Sequence, residues 1–177
     1  MIYQPSEDSF LLSRSVSRFA KGKKILDMCS GSGIQAKSAI KAKAKSVLCV
    51  DIDKESIAEL KNQGLKAIKS NLFSKIKGKF DVIICNPPYL PFDKREDSES
   101  AKITSGGKEG DEFILKFLSQ APSHLSKSGI ILIVLSSLTP RKRIDNLCKE
   151  KKLKISSLAK EKVFMETLEV LKFSKKQ

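Results

Sequence analysis

The sequence predicts an α/β domain built on a mainly parallel sheet with helices on both faces. Short apolar runs alternate with helix-length amphipathic stretches. Glycine and polar residues punctuate them, and strands alternating with helices demand right-handed crossovers. No internal repeat or low-complexity linker interrupts the pattern, so the 177 residues are expected to form one domain, 1–177.

The elements follow in order. Asp8 to Phe19 places Phe10, Leu11, Leu12, Val16 and Phe19 on one helical stripe, so residues 1–20 read as an N-terminal helical cover. "KKILDM" gives the first strand, "IQAKSAIKA" a helix, "SVLCVDI" the second strand, and Lys54 to Asn62 the next helix. "LKAIKS" is a short third strand and a sheet edge, with Lys66 and Lys69 suited to deterring stray pairing or, alternatively, flanking the place where a partner adds a strand. "FDVIIC" is the fourth strand. A polar loop over 93–107 follows, then a helix from Phe113 to Leu125, the strand "GIILIVLS", and a helix from Arg141 to Lys151. Strands near "KISSLAK" and "METLEVLKF" close the chain.

Composition narrows the class. Hydrophobic residues are 40% and charged residues 31%, an ordinary soluble balance. No apolar run approaches the roughly 20 residues that span a bilayer, and "MIYQPSEDSFLL" lacks the basic start of a signal peptide, which predicts a cytoplasmic address and no membrane partner. Cys29, Cys49, Cys85 and Cys148 form no CxxC pair and His124 stands alone, so reduced thiols and no metal site are expected. The net charge of +14 suits contact with the ribosome, nucleic acid or another acidic partner, although the scattered lysines also read as a solvated surface.

In such sheets ligands bind beyond the carboxyl ends of the strands. After strand one comes "LDMCSGSGIQA", where Gly31 and Gly33 permit a tight turn and close backbone approach. Asp51 ends strand two where a carboxylate can take both ribose hydroxyls of an adenosine, and Asp53 suits the cap of the next helix. An adenosine site follows, with either a nicotinamide dinucleotide or S-adenosylmethionine as its ligand. Asp27, just before the turn, favours the second, because it repels a pyrophosphate and attracts an ammonium. Asn71, after strand three, stands where an adenine amino edge could be bound.

Strand four runs into Asn86-Pro87-Pro88-Tyr89. The Asn86 side chain offers a carbonyl oxygen, and Pro87 lacks an N–H and holds Asn86 extended. Two acceptors converging on one NH₂ would orient a planar amide or base amine, and Tyr89 could stack on it. Asn86, Pro87 and Tyr89 are the catalytic candidates.

These segments carry a likeness. "NPPY" with "LDMCSGSG" upstream resembles the class I amino-methyltransferases that use S-adenosylmethionine. "YQPSEDSFLL" is similar to the opening of HemK-type release-factor glutamine methyltransferases in their short archaeal and eukaryotic form. "GGKEGDEFI" and "METLEVLKF" resemble the same family's glycine-rich segment and closing strand, so the likeness spans nearly the whole chain.

The resemblance implies a Rossmann-like, seven-stranded sheet with an antiparallel final strand. It also implies methylation of the GGQ glutamine of a class I peptide chain release factor. Glu7, Asp8, Asp27, Cys29, Gly31, Gly33, Asp51, Ile52, Asn71, Leu72 and Asn86 would then line the cofactor. Asn86, Pro87, Pro88, Tyr89, Gly106 and Gly107 would meet the substrate. A small zinc-binding activator protein is an implied partner. Cys29 departs from the family's usual glycine, and Asn71 from a frequent aspartate.

The same acceptor geometry serves adenine N6 or guanine N2 in RNA or DNA, and the basic surface favours that alternative. Lysine methylation ranks lower, because an ammonium must first lose a proton. A non-catalytic ribosome binder would leave the coincidence of acceptor and cofactor residues unexplained.

Overall fold

The computed structural model describes residues 3–91 and 104–176. The loop expected over 93–107 therefore lies mostly outside the described residues. Seven strands form one sheet: β1 (Lys24–Met28), β2 (Ser46–Asp51), β3 (Ala67–Lys69), β4 (Phe80–Cys85), β5 (Leu125–Ser136), β6 (Leu153–Val163) and β7 (Glu166–Lys175). Their order is β3-β2-β1-β4-β5-β7-β6. The first five run parallel, and β7 is antiparallel to both β5 and β6. The parallel sheet with its reversed end is the predicted architecture.

Burial explains why the central strands read as unbroken apolar runs. In "FDVIIC" the last four residues are buried, because helices cover both faces. On one face, Leu11, Leu12 and Val16 of α1 (Glu7–Phe19) pack with Ile25, Val82, Ile84, Leu132 and Val134. On the other, Ile114, Phe117 and Leu118 of α4 (Glu112–Gln120) join Leu26, Met28, Ile83 and Ile131, with Ile144 and Cys148 of α5 (Lys142–Glu150). A smaller cluster unites α2 (Ile34–Lys41), α3 (Lys54–Asn62) and β2 through Ala36, Ile57, Leu60 and Cys49. No helix among the described residues is long and apolar enough to cross a membrane.

Three elements differ from expectation. Phe10 is 49% exposed, because the face of α1 that meets the sheet is narrower than the apolar stripe. The helix expected to reach Leu125 stops at Gln120 and tightens into a 3-10 turn over Ala121–His124. Pro122 sits in that turn's first positions, where its missing N–H costs nothing. Leu125 then starts β5 by pairing with Phe80, a contact separated from the main register by an irregularity at Phe80/Val82.

Candidate active site

The strand order reverses direction between β1 and β4, and a cavity of about 820 Å³ opens beyond their carboxyl ends. The sequence-predicted Cys29, Gly31, Asp51, Ile52 and Asn71 line one part of it. Asp8, Asn86, Pro87, Pro88 and Tyr89 line the other. Glu7, Asp27, Gly33, Leu72, Gly106 and Gly107 are not in its wall, and each has an identifiable place elsewhere.

The loop after β1 depends on left-handed backbone. Gly31 has φ 49° and Gly33 φ 82°, and a Cβ on Gly33 would stand 2.8 Å from Leu60 Cδ2 and 2.9 Å from Leu65 Cδ1. Gly33 thus serves the packing of the loop on α3. Cys29 adopts φ 58°, the reason a glycine is apt at that position, and the turn keeps its shape by straining a cysteine instead. Asp51 braces the loop, accepting from the backbone N–H of Gly31 and of Asp53 at 2.9 Å each. Each of its oxygens keeps a lone pair for a further donor. Asp53 caps α3 by accepting from the Ser56 N–H at 2.9 Å, as expected. Leu72 is buried with φ 48°, turning the chain so that Asn71 faces outward into the cavity. Glu7 points to solvent and accepts from the Ser6 hydroxyl.

Asp27 lies fully buried beneath this loop, with the Ala36 N–H and the Ser30 hydroxyl near its carboxyl but neither oxygen in good hydrogen-bonding geometry. Burial, reinforced by the Asp51 charge, pushes its carboxyl up to about 8. An unfolded aspartate ionises near pH 4. Between about pH 4 and 8 the folded state therefore holds a proton that the unfolded chain has released. Stability falls as pH rises through that window and levels off above it. Asp27→Asn, neutral throughout, is expected to melt several degrees above the wild type at pH 8, on the order of a few kcal/mol, and close to it at pH 4. A melting difference that does not widen from pH 4 to pH 8 would show that the folded site compensates the charge.

At the acceptor end, Asp8 is the hub. It accepts from the Tyr3 hydroxyl at 2.9 and 3.0 Å, the Tyr89 hydroxyl at 3.1 Å and Asn86 Nδ2 at 3.1 Å. The Ser9 hydroxyl also takes Nδ2 at 3.2 Å. A carboxylate only accepts, so it forces the NH₂ side of Asn86 toward α1 and the carbonyl side the other way. Asn86 Oδ1 is left buried and without a partner. Burial first, and then the Asp8 charge, hold both tyrosine hydroxyls well above the usual phenol range, so both remain donors. Tyr89 is thereby engaged through its hydroxyl, not solely as a stacking face.

Gly106 supports this end from behind, while Gly107, at φ 118°, lies against the Glu112 side chain. Gly106 donates to Leu90 O at 2.9 Å, and Leu90 donates to Thr104 O at 3.0 Å. A Cβ on Gly106 would meet Pro88 O at 2.8 Å and the carbonyl of Gly110, so only glycine lets the strands lie this close. Thr104 and Ser105 reach the cavity instead.

The unpartnered groups state what the cavity would accept. Gln35 Oε1, Asn86 Oδ1 and Glu166 Oε2 are buried acceptors without donors, and all three residues line it. Asp8, Asp51, Asp53 and Glu166 also line it, and no lysine or arginine does among the described residues. Such a wall fits a ligand rich in N–H groups and bearing positive charge. An ammonium and a sulfonium suit it, whereas a pyrophosphate would meet carboxylates with no cation. Fold and site together define an S-adenosylmethionine-dependent methyltransferase with a Rossmann-like sheet.

The comparisons with known proteins agree. The Methyltransferase small domain model matches residues 8–165, and the chain belongs to that family. The chain is 36% identical to MJ0928 of Methanocaldococcus jannaschii over 178 residues, covering 96% of this chain and 90% of the other. That protein carries a provisional name as a protein N5-glutamine methyltransferase. The release factor glutamine methyltransferase of Borreliella burgdorferi is 40% identical over 125 residues, 63% of this chain and 44% of that protein. The solved Mtq2-Trm112 complex of E. cuniculi, described as responsible for methylating the termination factor eRF1, superposes with a TM-score of 0.82 at 22% identity, over 99% of each chain.

Tyr3, Ser9, Gln35 and Glu166 join the cavity without having been predicted. Tyr3 and Ser9 lie within "YQPSEDSFLL", Gln35 within "LDMCSGSGIQA" and Glu166 within "METLEVLKF", but none of these segments gave the residue a role.

Proposed function

We propose that this chain methylates the side-chain amide nitrogen of the GGQ glutamine of a class I peptide chain release factor. The observation that carries the reading is the buried, unpartnered Asn86 Oδ1, held in one orientation by Asp8 at the cavity wall. Asn86 Oδ1 and the carbonyl of Pro87 would accept the two hydrogens of a primary amide. Held between them, the amide plane cannot rotate, and its nitrogen faces the cofactor side of the cavity. S-adenosylmethionine supplies an electrophilic methyl group on its sulfonium. Methylation would make the nitrogen cationic and strongly acidic, so with S-adenosylhomocysteine as leaving group it would lose its proton to water without a strong base. The names of the relatives point to the same substrate class.

The absence of lysine and arginine from the described lining supports a neutral protein amide over a phosphate-bearing acceptor. The net charge of +14 favours the second reading, an exocyclic amine of RNA or DNA, and also suits contact with the ribosome. We also infer that the chain works in the cytoplasm as one catalytic domain, 1–177. A small zinc-binding activator would add a strand at β3, which forms the edge of the sheet and has three residues. The deciding experiment incubates the chain, alone and with such an activator, with labelled S-adenosylmethionine and either a release factor or purified RNA. One methyl group on the GGQ glutamine is expected. Label confined to RNA, or no label on the release factor in either condition, would overturn the reading.

A further inference from the structure

The β6–β7 hairpin ends in a two-residue turn, Phe164-Met165, closed by the pair Val163 and Glu166. Turns of this length favour glycine, asparagine or aspartate. Here the tip holds two bulky apolar side chains, 98% and 78% exposed, and neither residue has the positive φ that such turns usually require. Neither turn chemistry nor burial accounts for them.

The next residue, Glu166, turns into the cavity wall, where its Oε2 is buried with no hydrogen-bond partner. An unpaired buried carboxylate oxygen is costly, and no lysine or arginine among the described lining residues meets it, so a bound N–H donor would be favoured there. The tip is also fixed to the acceptor end. Ser137 donates to Thr167 O at 2.8 Å, and the Thr167 N–H donates to the Ser137 hydroxyl at 3.0 Å. Two residues on, the Thr139 hydroxyl donates to Tyr89 O at 3.1 Å. Between them Leu138 is 52% exposed, a third apolar side chain on the same rim.

We propose that this hairpin tip is the docking element for the methyl-acceptor protein. Glu166 receives an N–H of the segment beside the target amide, and Phe164 and Met165 cover an apolar side chain of that segment. The proposal rests on the protein-amide reading above and adds to it the residues that choose the segment. The occupant is a polypeptide, because the tip offers apolar side chains and the cavity beside it has no lysine or arginine among the described lining residues to hold a phosphate backbone.

The test measures steady-state methylation of a purified release-factor domain by the full chain and by two variants, Glu166→Gln and Phe164→Ser/Met165→Ser. Phe164→Ser/Met165→Ser is expected to raise KM for the protein substrate about 10-fold while kcat changes less than about twofold, the pattern of a lost docking contact, and Glu166→Gln to raise that KM by a similar factor. In Phe164→Ser/Met165→Ser, KM for S-adenosylmethionine and the melting temperature should stay near wild type, which separates docking from a folding defect. Unchanged KM for the protein in both variants would overturn the proposal and leave the substrate assignment standing. A fall in kcat at constant KM would also overturn it, because Glu166 would then act on the chemical step through Tyr89. A wild-type chain that does not methylate the domain removes the substrate assignment, and this docking role falls with it.

Discussion

Asn86→Ala is expected to lower kcat/KM for the methyl acceptor by about 10²- to 10³-fold, the cost of removing one pre-aimed polar group from a reacting centre. The substitution deletes the Oδ1 that stands buried and unpaired at the cavity wall. It also leaves Asp8 short of one donor, since Asn86 Nδ2 reaches it at 3.1 Å. Cofactor affinity should fall far less than turnover, because Asp51 and the glycine loop are untouched. Calorimetric binding beside a labelled-methyl assay separates the two quantities. A variant that keeps its turnover within a few-fold of wild type would mean that the acceptor nitrogen is held by other groups.

Asp8→Asn is the second large effect, expected at about 10²-fold in kcat/KM, although Asp8 need touch no substrate. Five donors converge on its two oxygens: the Tyr3 and Tyr89 hydroxyls, Asn86 Nδ2, and the backbone N–H and hydroxyl of Ser9. A carboxylate satisfies all of them, whereas a carboxamide has one oxygen and turns two further donors into the cluster. The Asn86 amide then loses its single orientation, and its NH₂ faces the acceptor part of the time. Because both substitutions disable one device, the double variant Asp8→Asn/Asn86→Ala should be little worse than Asn86→Ala alone. Additive losses would separate the two residues and sink the clamp as described.

The legibility of the sequence follows the range of the forces involved. "FDVIIC" and Lys54–Asn62 match their predicted limits because apolar run length, a capping Asp53 and helical periodicity act within a few residues. The start of β5 was unreadable, because "LSKS" is polar and enters the sheet only through the pairing of Leu125 with Phe80. The site divides in the same way. Asn86 to Tyr89 and the loop around Gly31 announce themselves as contiguous residue types with special backbone demands. Asp8 was placed near the cofactor on likeness alone, and its grip on Asn86 and Tyr89 spans 78 and 81 residues. No local pattern encodes such a contact. Asp27 is the opposite case: the motif put it beside the cofactor turn, whereas its carboxyl is sealed under the loop and held protonated to about 8.

Helix α1 precedes every strand in the chain, yet besides α2 it rests on β5, β6 and β7. Its seat is therefore complete only when the last strands have been synthesised and paired, a loop closure over most of the polypeptide. Until that moment the helix that carries Asp8 is held by its earlier partners alone, so a partly assembled chain with β1, β2 and β4 in place is expected to transfer methyl groups slowly. Full activity is expected only after the final docking event, and its rise during refolding would time the completion of the whole molecule.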